Sequence, residues 1–238
     1  MGTVNWLFGR GISIACGLTW DVPKAWENFA REEIIEKIKV ELKVEMGNAK
    51  INKKPIKSLL NNLSNRTEVD WHHRFITTNW DYLVQEAVTD LNLEMAPRWL
   101  PNTHVFHLNG SIESFGNPSL RSQILLTNDP PQIRIPKYET DKVFNQMIWD
   151  RVFYVVGMSF ECDMDQYLLQ SFKKVEDDMP IGEAFWFVIN PDKAVLDASS
   201  LRIKRALPRA RVFKAPITLE RWIESGMQGL VTLKAFHR

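Results

Sequence analysis

The chain has 238 residues, of which 45% are hydrophobic and 25% charged. That balance suits a globular protein with a sizeable core and excludes wholesale disorder. The 30 basic residues against 29 acidic ones leave a formal charge of +1, without the basic excess of a nonspecific nucleic-acid binder, so bulk charge does not indicate nucleic acid as a partner.

Val4-Asn5-Trp6-Leu7-Phe8 is an apolar run stopped by Gly9, which predicts a buried strand, and Gly9-Arg10-Gly11-Ile12-Ser13 turns it into a helix. Between residues 21 and 70 the character changes. Residues 32–46 place Ile35, Ile38, Leu42 and Met46 at helical spacings, with Glu33 and Lys37 as an i,i+4 pair, and residues 56–63 predict a shorter helix. This stretch reads as a helical insertion within a single domain spanning 1–238. Strand signals resume at 74–78, 103–108, 151–156, 184–189 and 211–214, and 123–126 is a further short candidate. Helices are expected at 82–91, 164–175, 194–207 and 219–225, and 112–140, rich in Asn, Pro, Ser and Gly, reads as loop. Strands alternating with helices predict an α/β fold, a parallel sheet with helices on both faces.

No apolar run approaches the ~20 residues that span a bilayer, so no membrane partner is expected. The opening Met1-Gly2-Thr3-Val4-Asn5-Trp6 lacks the basic region and cleavage site of a signal peptide. Two cysteines, Cys16 and Cys162, make neither a disulfide framework nor a zinc ribbon. A cytoplasmic location is the expectation.

The strong strands end in small or polar residues: Gly9, Asn79, Asn109-Gly110, Gly157 and Asn190. In open α/β sheets ligands bind outside the carboxyl ends of the strands, so these endings should converge on one crevice. A strand–Gly-x-Gly–helix unit suits a phosphate, because glycines let backbone N–H groups approach it. The third glycine and the later acidic residue of the dinucleotide fingerprint are missing, and a tight strand-to-helix turn is the ordinary alternative.

Taken in order, the motifs resemble the silent-information-regulator (sirtuin) family. Gly9-Arg10-Gly11-Ile12-Ser13-Ile14-Ala15-Cys16-Gly17-Leu18 is similar to its opening Gly-Ala-Gly-Ile-Ser-x-x-Ser-Gly-Ile. Thr78-Asn79-Trp80-Asp81 resembles its Gln-Asn-Ile-Asp segment, and Phe106-His107-Leu108-Asn109-Gly110-Ser111 resembles its His-Gly segment with two residues added. Gly157-Met158-Ser159 matches Gly-Thr-Ser, and Val188-Ile189-Asn190 the late Ile-Asn.

The resemblance implies a Rossmann-like domain that binds NAD as substrate and breaks the bond between nicotinamide and ribose, through a transition state of oxocarbenium character. By the same resemblance, Asn79 holds the water or ribose beneath the reacting carbon, Asp81 the carboxamide, and His107 acts as general base, a role suited to an imidazole. Gly9, Arg10, Gly11 and Ser13 would cradle the pyrophosphate, with Gly157 and Ser159 at a phosphate or ribose and Asn190 at the adenosine ribose. The four zinc-binding cysteines of deacylating sirtuins are absent between His107 and Gly157, so no zinc or other metal is expected. The stretch around 126–131 does not match the family's peptide-pairing segment.

Those departures match divergent bacterial sirtuin-like domains, which lack zinc, hydrolyse NAD to nicotinamide and ADP-ribose, and serve in antiphage defence. That group implies a homo-oligomer or a separate regulatory partner. A silent NAD- or ADP-ribose-binding sensor or scaffold is the second reading, with Arg10 and Met158 marking lost chemistry. A lysine deacylase is the third.

Ordinary roles stand beside these. Asn79 and Asp81 also suit a helix N-cap, and His107 a buried imidazole held by a carbonyl. His104 and His107 would point to opposite faces of a strand and are not paired as metal ligands, nor are His72 and His73. Cys162 reads as a small buried residue. Trp20, Trp26, Trp80 and Trp149 suit a pocket wall or a core. The basic stretch 202–211 reads as a solvated helix face, with a nucleic-acid or acidic-partner patch as the alternative.

Overall fold

A computed structural model of the chain describes residues 2–48, 50–64, 71–94, 105–113, 124–126, 129, 144, 147–179 and 182–227. Six strands, β1 (Gly2–Phe8), β2 (Trp71–Thr77), β3 (Phe106–His107), β4 (Val152–Val156), β5 (Phe185–Ile189) and β6 (Arg211–Ala215), form one sheet. All pairings are parallel, in the order β3-β2-β1-β4-β5-β6. This is the doubly wound Rossmann order, whose direction reverses between β1 and β4.

Seven helices are present among the described residues: α1 (Arg10–Ala15), α2 (Arg31–Met46), α3 (Lys54–Ser64), α4 (Leu83–Glu94), α5 (Asp163–Asp178), α6 (Lys193–Ala206) and α7 (Leu219–Glu224), with a 3-10 turn at Lys24–Asn28. The period-2 alternation of the strands divides their side chains between two cores. Val4, Trp6 and Phe8 of β1 face one, with Tyr154, Phe187 and residues of α1, α2, α3, α4 and α7. Leu7, Ile76, Phe153, Val155 and Trp186 face the other, with α5 and α6. Helices therefore cover both faces, as the alternation of elements predicts.

An aromatic row crosses the first face: Trp6 stacks on Tyr154 with ring centroids 4.5 Å apart, Tyr154 on Phe187 at 4.7 Å, and Phe187 on Phe213 at 4.9 Å. These residues are partners in strand register, so the sheet itself sets the stacking. No helix among the described residues is long and apolar enough to cross a membrane.

Helix α2 buries Ile35, Ile38 and Leu42 as their spacing predicts. The Lys37 ammonium lies over the rings of Trp26 and Phe29, 5.6 and 5.0 Å from their centroids, in place of the expected pair with Glu33. Residues 124–126 are not a strand. Ile124, Leu125 and Leu126 are buried, and the amide of Leu125 donates to the Asn109 carbonyl (2.9 Å), so burial rather than sheet pairing accounts for that apolar run. Gln123, the first residue of that strand candidate, lies outside the described residues, as do His104 and most of the 112–140 loop. The basic stretch is largely occupied internally: Arg202 donates to the Ser159 carbonyl (3.0 Å), Lys204 to the Ala210 carbonyl, and Arg209 and Arg211 pair with Glu176 and Glu183.

Candidate functional site

The ends of β1 and β4 meet on glycine. The Gly9 amide donates to the Val156 carbonyl (3.1 Å) and the Gly11 amide to the Gly157 carbonyl (2.7 Å). A Cβ on Gly11 would lie 2.7 Å from the Gly157 Cα, and one on Gly157 would lie 2.6 Å from the Ile12 nitrogen. Gly157 also has φ +64°, in the left-handed region that favours glycine. The glycines thus let α1 start directly against the end of β4. The Gly11 amide is spent on that packing, and the Ile12 amide on the Gly9 carbonyl (3.1 Å), so neither points at a ligand.

Beside this junction, the loop after β2 is pulled onto β1. The Thr78 amide donates to the Phe8 carbonyl (3.1 Å), and the Asn79 side-chain amide donates to the Gly9 carbonyl (3.0 Å) and to the Ser13 hydroxyl (2.7 Å). Ser13 in turn donates to Oδ2 of Asp81 (2.7 Å), while Oδ1 of Asp81 accepts from the Leu83 amide (3.2 Å) at the start of α4. Asp81 therefore serves both the helix start and a buried Asn79–Ser13–Asp81 relay. Burial pushes the Asp81 carboxyl up from its ordinary value, against the Ser13 hydroxyl, the Leu83 amide and the Arg10 charge, which pull it down.

A cleft of about 310 Å³ opens at this place, at the lower end of the range for small-molecule sites. Arg10 comes to it from the end of β1, Thr78, Asn79, Trp80 and Asp81 from β2, Asn109 from β3, and Cys162 and Asp165 from β4. Trp20, Asp21 and Leu42 add a wall from the helical insertion. The cleft thus sits at the carboxyl ends of the strands, beside the point where strand order reverses. Arg10 does not hang free in it: its guanidinium donates to the carbonyls of Leu18 (3.4 Å) and Trp20, which ties the Trp20 wall to α1.

The residues singled out from sequence separate into four groups. Arg10, Asn79 and Asp81 line the cleft. Ser13 lies beneath it, fully buried, bonded to Asn79 and Asp81 rather than presented to a phosphate. Gly9, Gly11 and Gly157 form the backbone junction. The others lie away from the cleft wall. The Ser159 hydroxyl accepts from the Glu161 amide (3.1 Å), and the Asn190 side chain accepts from the Asp192 amide (2.9 Å), so both shape turns. Met158 is buried in the second core.

His107 closes β3 and is 3% exposed, with Nδ1 3.3 Å from the Asn79 carbonyl oxygen. Burial lowers its pKa from 6.5 to about 4, so the imidazole is neutral at pH 7. It touches the Asn79 loop and is not among the described residues lining the cleft, which is reached instead by Asn109, two residues after β3, whose side-chain amide donates to the Thr78 carbonyl (2.8 Å). Asn109 stands directly before Gly110, and that adjacency was the available signal for it.

Asp165 is a cleft residue that the sequence did not flag. It lies in the first turn of α5, is 6% exposed and lines the cleft. Burial pushes its carboxyl up, opposed by hydrogen bonds from the Thr78 hydroxyl, the Cys162 thiol and the Phe160 amide. Phe160 takes φ +53°, a costly conformation for a bulky side chain, two residues before Cys162. Cys162 is exposed at the cleft, not buried as expected, because it caps α5 from outside the core. Trp20 and Trp80 wall the cleft, whereas Trp26 is core and Trp149 is exposed.

Among the described residues no group of three or more His, Cys, Asp or Glu is placed to hold a metal ion. What the cleft offers is two buried carboxyl groups, two side-chain amides and two indoles around a space of about 310 Å³. No protein-family model matches this chain, and no curated protein matches it significantly.

Proposed function

We propose that the chain is a sirtuin-like domain that hydrolyses NAD to nicotinamide and ADP-ribose. The observation that carries this reading is the buried Asn79–Ser13–Asp81 relay, which places two of the motif residues side by side in a cleft at the strand-order reversal. The nicotinamide ring would stand between Trp20 and Trp80, where indole faces attract a pyridinium cation. Asp81 would hold the carboxamide through a lone pair left over from its bonds to Ser13 and the Leu83 amide. Asn79 would orient the ribose by its amide, and fixed groups of this kind lower the barrier by positioning. The leaving nicotinamide departs as a neutral base and needs no acid.

By the same resemblance, NAD depletion places the domain in antiphage defence, held in check by self-association or by a separate regulatory protein. The test is nicotinamide release from NAD by the purified chain, followed by chromatography, with Asn79→Ala alongside. Release that is lost in the variant supports the hydrolase. Release undiminished in the variant removes this mechanism.

A second reading, an NAD- or ADP-ribose-binding module without turnover, is favoured by one observation: His107, the general base that the resemblance implies, is buried and is not among the described residues lining the cleft. Calorimetric NAD binding without nicotinamide release is its signature.

A further inference from the structure

Trp20 forms one wall of the cleft, yet it belongs to neither a helix nor a strand. The turn after α1 is fixed by backbone bonds as far as Leu18, whose amide donates to the Ser13 carbonyl (2.9 Å). From Thr19 to Val22 no backbone–backbone hydrogen bond is made among the described residues. Side chains hold the segment instead. Arg10, the first residue of α1, donates through Nη1 to the Leu18 carbonyl (3.4 Å) and through Nη2 to the Trp20 carbonyl. From the other side, Oε2 of Glu41 accepts from the Trp20 indole N–H (3.2 Å). Glu41 is carried by α2, which is anchored in the first core by Ile38 and Leu42. The Trp20 ring also lies 6.2 Å from that of Trp26, centroid to centroid. The backbone of Trp20 is thus held from α1 and its ring from α2.

The resemblance gives Arg10 another task, holding a pyrophosphate, and three observations oppose it. The guanidinium fork is turned onto two carbonyls of its own chain, an arrangement that its planar set of donors suits. The Gly11 and Ile12 amides, which would share a phosphate with it, are spent on the Gly157 and Gly9 carbonyls. Among the described residues lining the cleft, Arg10 is the one basic group, beside the three carboxyl groups of Asp21, Asp81 and Asp165. That is a poor surround for a diphosphate.

We infer that Arg10 is a positioning residue: together with Glu41 it fixes Trp20 as the indole wall against which the pyridinium ring of NAD stacks, and it does not bind the pyrophosphate. The identity of the stacked ring rests on the NAD reading, whereas the placement of Trp20 by Arg10 and Glu41 does not. A lysine cannot do the work of Arg10, because a single ammonium offers no planar fork to two carbonyls. Glutamine in place of Glu41 keeps an oxygen that accepts from the indole N–H, and alanine does not.

The test uses the full chain labelled with fluorotryptophan, in which Trp20→Phe identifies the fluorine resonance of Trp20. Arg10→Ala, Arg10→Lys, Glu41→Ala and Glu41→Gln are compared with the wild type by that resonance, by calorimetric Kd for NAD and for ADP-ribose, and by kcat and KM for nicotinamide release. The Trp20 resonance should move in Arg10→Ala, Arg10→Lys and Glu41→Ala and return to its place in Glu41→Gln, while tryptophan resonances outside the cleft stay put and report an intact fold. In Arg10→Ala the Kd and KM for NAD should rise ~10-fold, the scale of a lost indole–cation contact, with kcat little changed. The Kd for ADP-ribose, which has no pyridinium ring, should be unaltered. Equal weakening of NAD and ADP-ribose would assign Arg10 to the pyrophosphate and overturn the inference. An unmoved Trp20 resonance in Arg10→Ala overturns it as well, and so does unchanged NAD affinity when the resonance moves. A wild-type chain that neither binds NAD nor releases nicotinamide removes the NAD reading, and the Trp20 resonance then decides the role of Arg10 by itself.

Discussion

Ser13 and Asp81 stand 68 residues apart in the chain, yet the Ser13 hydroxyl donates a 2.7 Å hydrogen bond to the Asp81 carboxyl at the base of the cleft. The same hydroxyl accepts from Asn79, so one oxygen on α1 fixes both cleft residues that follow β2. Ser13→Ala removes that shared partner inside a fully buried site. The expected cost is ~1–3 kcal/mol, that of a buried polar group left without a partner, read by urea unfolding. Nicotinamide release should fall as well, because Asn79 and Asp81 lose their common support. Unchanged stability and unchanged rate together would show that the relay organises nothing.

The glycine junction gives a paired comparison. Gly157 and Gly226 both have positive φ, +64° and +80°. Around Gly226 nothing lies within 4 Å of an added Cβ, whereas at Gly157 that atom would meet the Ile12 nitrogen at 2.6 Å. Gly226→Ala should therefore cost only the conformational penalty of ~1–2 kcal/mol. Gly157→Ala adds a backbone clash and should cost ~4 kcal/mol or leave the chain insoluble, since it forces α1 away from β4. Equal unfolding midpoints for the two variants would mean that the close approach of α1 to β4 does not hold in solution.

His107 predicts an acid-side instability with a definite sign. Burial lowers its pKa from 6.5 to about 4, so the unfolded chain binds the proton more readily than the folded one. The stability from its neutral ring is fully present above pH 6.5 and is lost as pH falls toward 4, an effect of the order of 3 kcal/mol. Asp81 and Asp165 run the other way. Their raised carboxyl pKa values favour the protonated folded form, so their contribution is full below the ordinary carboxylate value and is lost as pH rises through their folded pKa. Melting temperatures of the wild type and His107→Gln across pH 4–7 separate the histidine from the carboxyls. The variant should lose less stability on acidification, and parallel curves would contradict this account.

The fold is legible in the sequence where local chemistry decides it. The runs of β1, β4 and β5 are apolar on both faces and close on Gly9, Gly157 and Asn190, so burial and termination are written into neighbouring residues. Helix α2 shows its buried edge through Ile35, Ile38 and Leu42. Residues 124–126 mislead because their burial comes from distant packing, with Arg31 of α2 paired to Asp129 and bonded to the Ile124 carbonyl (3.1 Å). The cleft is legible only in part. Asn79 and Asp81 follow a strand directly, and a strand end in a parallel sheet is a place to look for ligands. Asp165 is hidden because an acidic residue in the first turn of a helix is commonplace. Only the turn through Gly157 and Phe160 brings it back to Thr78, and that turn shows itself in backbone angles rather than in composition. Trp20 and Leu42 reach the cleft through the docking of the insertion, which no local pattern encodes.

The strand order also governs when the binding site comes into existence during synthesis. Of the six strands β1 is made first, yet it takes the middle of the sheet, flanked by β2 and by the much later β4. A nascent chain that has passed Asp81 already holds the residues of the relay. It still lacks the wall from Cys162 and Asp165, which follows only after β4 has been made. A translation intermediate or an N-terminal proteolytic fragment ending before residue 152 therefore has half a cleft, and its exposed β1 edge is a site for misassembly. Completion of the ligand site and burial of that edge are one and the same event.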